Sequence, residues 1–338
     1  MTPSSTSPGR PRVGITTGDP AGIGPEIVLK SVAGREVRAT ARAVILSDAG
    51  ELKRQASRLG LPCPYRVVSE GDLASFPEED VLICDTAGPP EPAEWGKVSA
   101  ASGRAALSSI ERGARLCLAG TLDALATAPI NKEAIRLAGS PHPGHTEMLA
   151  ELCGSEESLM CFFAGGLRVV LLTVHLSLSD AIKAITRERV ASALALTDRE
   201  MRRFGMSDPR IAVAGLNPHA GEHGLFGREE IEHIAPAIEE CRARGIPVSG
   251  PFPSDTLFVR AARGEFDTVV ACYHDQGLIA VKCLSFGESV NVTLGLPIIR
   301  TSVDHGTAFD IAGLSVADHN SMVEAIKLAA HLAAAARH

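Results

Sequence analysis

VGITTGDPAGIGPEIVLK, residues 13–30, decides how the chain is read. A short apolar strand, residues 13–16, runs into a glycine-rich turn, residues 18–26, and then into an apolar helical pattern that continues through Lys30. Pro25 suits the first helical position, and Glu26 suits a first turn whose dipole favours an anion. The glycine spacing is not GxGxxG, and that dinucleotide fingerprint occurs nowhere in the chain. By itself the stretch is a tight strand-to-helix connection.

The same strand-then-helix order continues outward from it. Residues 43–47 (AVILS), 66–69 and 81–85 read as strands, with a helix near 50–60; residues 86–94 read as a Pro/Gly-rich surface loop. Helical periodicity over 99–119 leads to a strand at 124–129 and the loop PINK. Further strands are expected at 168–173, 210–214 and 269–273, and helices at 147–153, 179–185, 187–203, 229–244 and 316–338. This βαβα order predicts an α/β fold, a mostly parallel sheet with helices on both faces.

Composition narrows the function. The chain has 338 residues, 45% hydrophobic and 22% charged, which suits a globular protein of roughly two domains. A net charge of -7 without a Lys/Arg block argues against nucleic acid and anionic membranes as partners. Eight cysteines without a CxxC pair suit a reducing, cytoplasmic setting. No apolar run reaches the roughly 18 residues of a membrane span. Residues 1–12 read as a disordered Ser/Pro/Gly tail, not a signal peptide.

Three expected strands end at a histidine: His175, His219 and His274. Ligands of open α/β sheets bind at the carboxyl ends of the strands. One histidine there is more often structural; three at one edge suit a divalent metal used as a Lewis acid, with Asp275 and Glu222 as carboxylates orienting the rings. Between Ala271 and Gly313 the chain also concentrates Lys282, Asn291 and Arg300, read as lying on strand, loop and strand. Arg300 follows the apolar run 294–299, which makes it awkward to leave in bulk water. Such a set binds phosphate or carboxylate through charge-assisted bonds, and the helix start at His145-Thr146 is itself an anion site.

Long motifs carry a specific resemblance. GDPAGIGPE, TAPINK, PGHTE, VHLSL, GLNPHAGE, GPFPSDTLF, YHDQGL and VNVTLGLPIIRTSVDHGTA are similar to the 4-hydroxythreonine-4-phosphate dehydrogenase family over residues 13 to about 330. The resemblance implies an isocitrate/isopropylmalate dehydrogenase-like fold of two α/β/α domains around a central cleft. The expected boundaries are 13–136 plus 312–338 for the first domain and 137–311 for the second, which would carry the metal and the dimer interface. It implies His175, His219 and His274 as metal ligands, with zinc first and magnesium or cobalt as alternatives. It implies His145, Thr146, Lys282, Asn291 and Arg300 as substrate contacts, and NAD or NADP on the loop of His305, Gly306, Thr307 and Asp310, near the 18–26 turn. An acid at position 310 favours a free ribose hydroxyl and hence NAD. Candidates for the alcohol proton are Asp255, Asp275 and Lys282.

The activity so implied is oxidation of 4-phosphooxy-L-threonine at C3. Decarboxylation then gives 3-amino-2-oxopropyl phosphate, in the biosynthesis of pyridoxal 5'-phosphate. The resemblance further implies a homodimer whose active site draws on both subunits. Close relatives within the family act on 4-phospho-D-threonate or 4-phospho-D-erythronate, which stands as the alternative. From another class, three histidines with carboxylates could serve a metal-dependent phosphohydrolase; a non-catalytic metabolite-binding protein is the third reading.

Overall fold

The structure, a computed structural model, describes residues 9–75, 79–87, 92–285 and 287–337. The chain opens with β1 (Arg12–Thr16), α1 (Gly24–Ala33), α2 (Arg35–Thr40), β2 (Arg42–Ser47), α3 (Ala49–Leu59), β3 (Arg66–Val68), α4 (Glu70–Ser75) and β4 (Val81–Asp85). It continues with α5 (Ala100–Leu118), β5 (Ala124–Thr127), α6 (Lys132–Leu137) and α7 (His145–Cys153). Then come β6 (Leu159–Ala164), β7 (Leu167–Leu171), α8 (Leu178–Ala184), α9 (Arg187–Arg203), β8 (Ile211–Ala214), α10 (Ala235–Ala243), β9 (Val248–Phe252), α11 (Ser254–Ala262), β10 (Thr268–Ala271), α12 (His274–Leu284) and β11 (Val290–Leu294). The chain closes with β12 (Arg300–Ser302) and α13 (Asn320–Ala335).

Two compact units result. In the first, which runs to Glu156 and resumes at Leu296, the strands lie in the order β3-β4-β2-β1-β5-β12, all parallel. Alternation along the strands sends Val44 and Leu46, Leu82 and Cys84, and Leu125 to one face, under Ile110 and Ala114 of α5 and Met148 and Leu149 of α7. Helix α13 packs on β1, β5 and β12, and α1 packs on α13. Each fully buried Leu or Ile contributes about 1.5–3 kcal/mol, so this one core accounts for much of the unit's cohesion.

The second unit, Glu157–Gly295, has the order β11-β6-β7-β10-β8-β9. Strands β7, β10, β8 and β9 are parallel; β6 runs antiparallel to both β7 and β11. Its core joins Val169 and Leu171, Val269 and Ala271, and Ala212 and Ala214 to Leu257 and Ala261 of α11 and Leu278 and Val281 of α12.

Several expectations change. Strand β6, LMCFFA, has no counterpart in the sequence reading, although the Gly165-Gly166 pair after it is a hairpin signal. The unit boundaries fall at 156/157 and 295/296 and not at 136/137 and 311/312. Met148 and Leu149 of α7, and Leu296 and Ile298, are buried in the first unit's core. Lys282 and Asn291 lie on a helix and a strand, not on a strand and a loop. Helix α7 starts two residues earlier than expected and so takes in His145. Of the expected tail, residues 1–8 lie outside the described residues, while Arg12 already belongs to β1. Of the expected loop 86–94, residues 88–91 lie outside them as well. No helix among the described residues is long and apolar enough to cross a membrane.

Candidate functional site

In the first unit the chemistry gathers around Arg300. Its position on β12 leaves it 2% exposed. The guanidinium donates from Nε and Nη2 to Thr127 Oγ1, at 3.1 and 2.8 Å, at the end of β5. Burial pulls its pKa down to about 10, against the opposing charge of Glu147. That value still leaves a full cation at neutral pH, held in place to meet an anion.

His145 is the first residue of α7, whose N-cap, Gly144, offers no side-chain cap. The open amides of that turn suit an anion. Burial, aided by the charge of Arg300, lowers the His145 pKa well below its usual range, so the ring is neutral. Its Nε2 is closed off from solvent and meets no hydrogen-bond partner among the described residues. An orphaned buried donor or acceptor costs about 1–3 kcal/mol, and a bound ligand oxygen would remove that cost.

The loop of His305, Gly306, Thr307 and Asp310 is packed on the 18–26 turn: Ile23 N–H donates to Thr307 O at 3.0 Å. A Cβ on Gly22 would lie 2.7 Å from that same oxygen. Asp310 is exposed, and His305 Nδ1 lies 3.0 Å from Gly306 O. Beside that turn lies a cavity of about 280 Å³ lined by Thr17, Gly18, Ser47, Asp48, Lys97 and Ser99, among others, at the carboxyl ends of β1 and β2. Sequence reasoning missed it, because residues 97–102 and 47–51 come together only through the sheet order.

In the second unit, one hydrogen-bond network ties together the ends of β7, β8 and β10. Thr173 Oγ1 donates to Cys272 O at 2.8 Å, Cys272 N–H donates to Gln276 Oε1 at 2.6 Å, and Gln276 Nε2 donates to Gly215 O at 2.7 Å. Gln276 thus fixes the edge on which the histidines stand, a role no local pattern announces. His175 and His274 face one another with ring centroids 6.0 Å apart, on a cavity of about 250 Å³ that also includes Thr173, Tyr273 and Asp275. Asp275 Oδ1 lies 2.7 Å from His274 Nδ1. A carboxylate there accepts the hydrogen bond of Nδ1–H, which holds the proton on Nδ1 and leaves Nε2 as the lone-pair nitrogen, the usual support of a metal-binding imidazole.

His175 and His219 both have left-handed backbones, with φ of 53° each. Around His219 the departure is larger: His219, Ala220, Gly221, Glu222 and His223 all have positive φ. Each non-glycine residue in that region costs roughly 1–2 kcal/mol, so four of them store several kcal/mol that the surroundings must offset. Strain of this kind clusters at functional sites.

The donor chemistry fits a divalent metal, and the structure supplies His175 and His274 as an adjacent pair. The expected three-histidine site was to be shared between two subunits, so one chain need not bring all three rings together. Among the described residues no group of three His, Cys, Asp or Glu side chains is placed to hold a metal ion, and His219 stands exposed, its ring 6.1 Å from that of Phe226. Of the proton-transfer candidates, Asp275 is engaged by His274, Asp255 is exposed at the start of α11, and Lys282 is half-buried in the last turn of α12. Asn291 on β11 has a buried Oδ1 with no hydrogen-bond partner among the described residues.

One unit carries imidazoles at its strand ends, and the other carries a buried guanidinium beside a helix start; these donor types suit a metal and an anion respectively. The chain is a member of the family described as pyridoxal phosphate biosynthetic protein PdxA, whose model matches residues 39–329. This is a family of dehydrogenases. The chain is 48% identical over 324 residues to the D-threonate 4-phosphate dehydrogenase of Cupriavidus necator, covering 96% of this chain and 97% of that one. It is 45% identical over 327 residues to the 4-hydroxythreonine-4-phosphate dehydrogenase of Desulfosudis oleivorans, with 96% and 97% covered. A crystal structure of a 4-hydroxythreonine-4-phosphate dehydrogenase from Burkholderia phymatum matches with a TM-score of 0.86 at 45% identity, covering 96% of this chain and 99% of that one.

Proposed function

We propose that the protein is a metal-dependent, NAD(P)-linked dehydrogenase of a four-carbon hydroxy acid phosphorylated at C4. The observation that carries this reading is the buried Arg300 beside the unpartnered, neutral His145 at the open start of α7, a setting for a phosphate dianion. D-threonate 4-phosphate is the first substrate, supported by the 48% identity to an enzyme of that name. 4-Hydroxythreonine 4-phosphate is the second, supported by relatives such as the one at 45%.

His145, Thr146, Arg300, Lys282 and Asn291 are assigned to the substrate. His175, His219 and His274 would hold the metal, zinc first and magnesium or cobalt next, with His274 and Lys282 serving the site of the neighbouring subunit in a homodimer. The loop of His305, Gly306, Thr307 and Asp310 is assigned to the nucleotide, with the adjacent cavity of the 18–26 turn giving it room. When bound, the metal would supply Lewis acidity to the C3 alcohol, and a nicotinamide would serve as acceptor for the hydride lost from C3. Asp275 orients His274, which leaves Asp255 and Lys282 to carry the alcohol proton. Oxidation at C3 places a ketone β to the carboxylate, and loss of CO₂ then turns D-threonate 4-phosphate into dihydroxyacetone phosphate. With the amino acid the product is 3-amino-2-oxopropyl phosphate, a step toward pyridoxal phosphate.

Steady-state NADH formation with D-threonate 4-phosphate, 4-hydroxythreonine 4-phosphate, D-erythronate 4-phosphate and unphosphorylated D-threonate tests this. The expected result is the highest kcat/KM with D-threonate 4-phosphate and at least a hundredfold loss without the phosphate. A rate with D-threonate equal to that with its phosphate would refute the anion assignment.

A further inference from the structure

We propose that Glu230, through Asn217, is the positioning residue that holds His219 in place. This rests on the reading of His219 as a metal ligand. His219 is exposed and belongs to no metal-binding group of three side chains among the described residues, so its place depends on its backbone, a left-handed run from His219 to His223.

What keeps that run in place is one buried carboxyl group. Glu230 is 3% exposed, at the start of a short π-helical turn, Glu230–Ile234. Its Oε1 accepts Asn217 N–H at 2.7 Å and its Oε2 accepts Asn217 Nδ2 at 2.9 Å. The other hydrogen of the Asn217 amide goes to Glu229 Oε2 at 2.7 Å. Asn217 O in turn accepts Ala220 N–H at 3.1 Å, and so starts the left-handed run. The packing leaves no slack: a Cβ on Gly221 would lie 2.6 Å from Glu230 Oε2, and one on Gly227 would lie 2.4 Å from Asn217 Nδ2. Neither Glu230 nor Asn217 touches His219 by hydrogen bond; they act through the turn.

Replacing Glu230 by Gln tests the arrangement. Whichever way the new amide turns, its NH₂ faces one of the two Asn217 donors, so one bond becomes a repulsive contact. Two measurements on the purified full chain are compared: Zn²⁺ affinity by competition with a chromophoric chelator, and amide hydrogen exchange of residues 217–224. Glu230→Gln is expected to weaken Zn²⁺ binding about 10–100-fold, the range for supporting residues of metal sites, and to speed exchange in that segment. Adding Ala220→Gly restores several-fold of the affinity, because glycine takes positive φ without strain; loss of overall stability alone would show no such rescue. Should Glu230→Gln fail to fold, Glu229→Ala removes only the outer contact, the Asn217 Nδ2 donation to Glu229 Oε2, and is expected to give a smaller loss of the same kind. Faster exchange with unchanged Zn²⁺ affinity, or unchanged exchange, overturns the proposal. A His219→Ala protein with parental Zn²⁺ affinity refutes the ligand assignment itself, while the exchange result still decides whether the clamp exists.

Discussion

Replacing Asp19 by Asn should make the first unit more stable at neutral pH and less sensitive to pH. Asp19 follows β1 with no exposed surface. Its Oδ1 accepts Ala21 N–H at 2.8 Å, while Oδ2 is buried with no hydrogen-bond partner among the described residues. Burial pushes its pKa from 3.8 up to about 6, opposed by the backbone N–H groups of Ala21 and Asn131. Because the folded pKa lies above the unfolded one, the native state binds more protons between these values, and stability falls as pH rises from about 4 to 6. A shift of roughly two units at 1.36 kcal/mol each gives a penalty of about 3 kcal/mol, complete above pH 7. Asparagine keeps the Oδ1 acceptor and carries no charge, so Asp19→Asn should match the parent near pH 4 and exceed it by about 2–3 kcal/mol at pH 8. Urea unfolding read by the fluorescence of Trp95, the single tryptophan, reports on this unit, because a Cβ on Gly313 would lie only 2.0 Å from its ring. A difference between parent and variant that does not change from pH 4 to pH 8 would refute the reasoning.

The other predictions are local. Arg300→Lys loses the fork that meets Thr127 and a phosphate together, so KM for a 4-phosphorylated substrate should rise about 10–100-fold, the worth of one or two charge-assisted bonds; an unchanged KM would count against the assignment. Leu125→Ala, at a fully buried site in the first core, should lower unfolding free energy by about 2–5 kcal/mol in the same urea assay. His274→Ala should weaken Zn²⁺ binding at least tenfold, and Asp275→Asn should do so to a smaller extent, measured by chelator competition.

Much of this was legible in the sequence because it is local. Apolar runs ending in Gly, Pro or His mark strand ends, and Arg300 behind its apolar run was readable as a buried cation. Strand β6 was not legible: LMCFFA is apolar throughout, and such a run shows no period that separates a strand from a helix core. Lys282 was misplaced because helix α12 was not read at all: Gly277, a poor helix residue, sits inside it and weakens the helical signal. Gln276, Thr127 and the Glu230–Asn217 clamp act across 13 to 173 residues of sequence, so only the fold reveals them.

The most direct test of dehydrogenase chemistry at this site is a paired assay of NADH and inorganic phosphate with D-threonate 4-phosphate, run with added Zn²⁺ and after chelation. The account predicts NADH equal to the substrate consumed, no free phosphate, and loss of the rate on chelation. Phosphate release without NADH would contradict it and make the protein a phosphohydrolase.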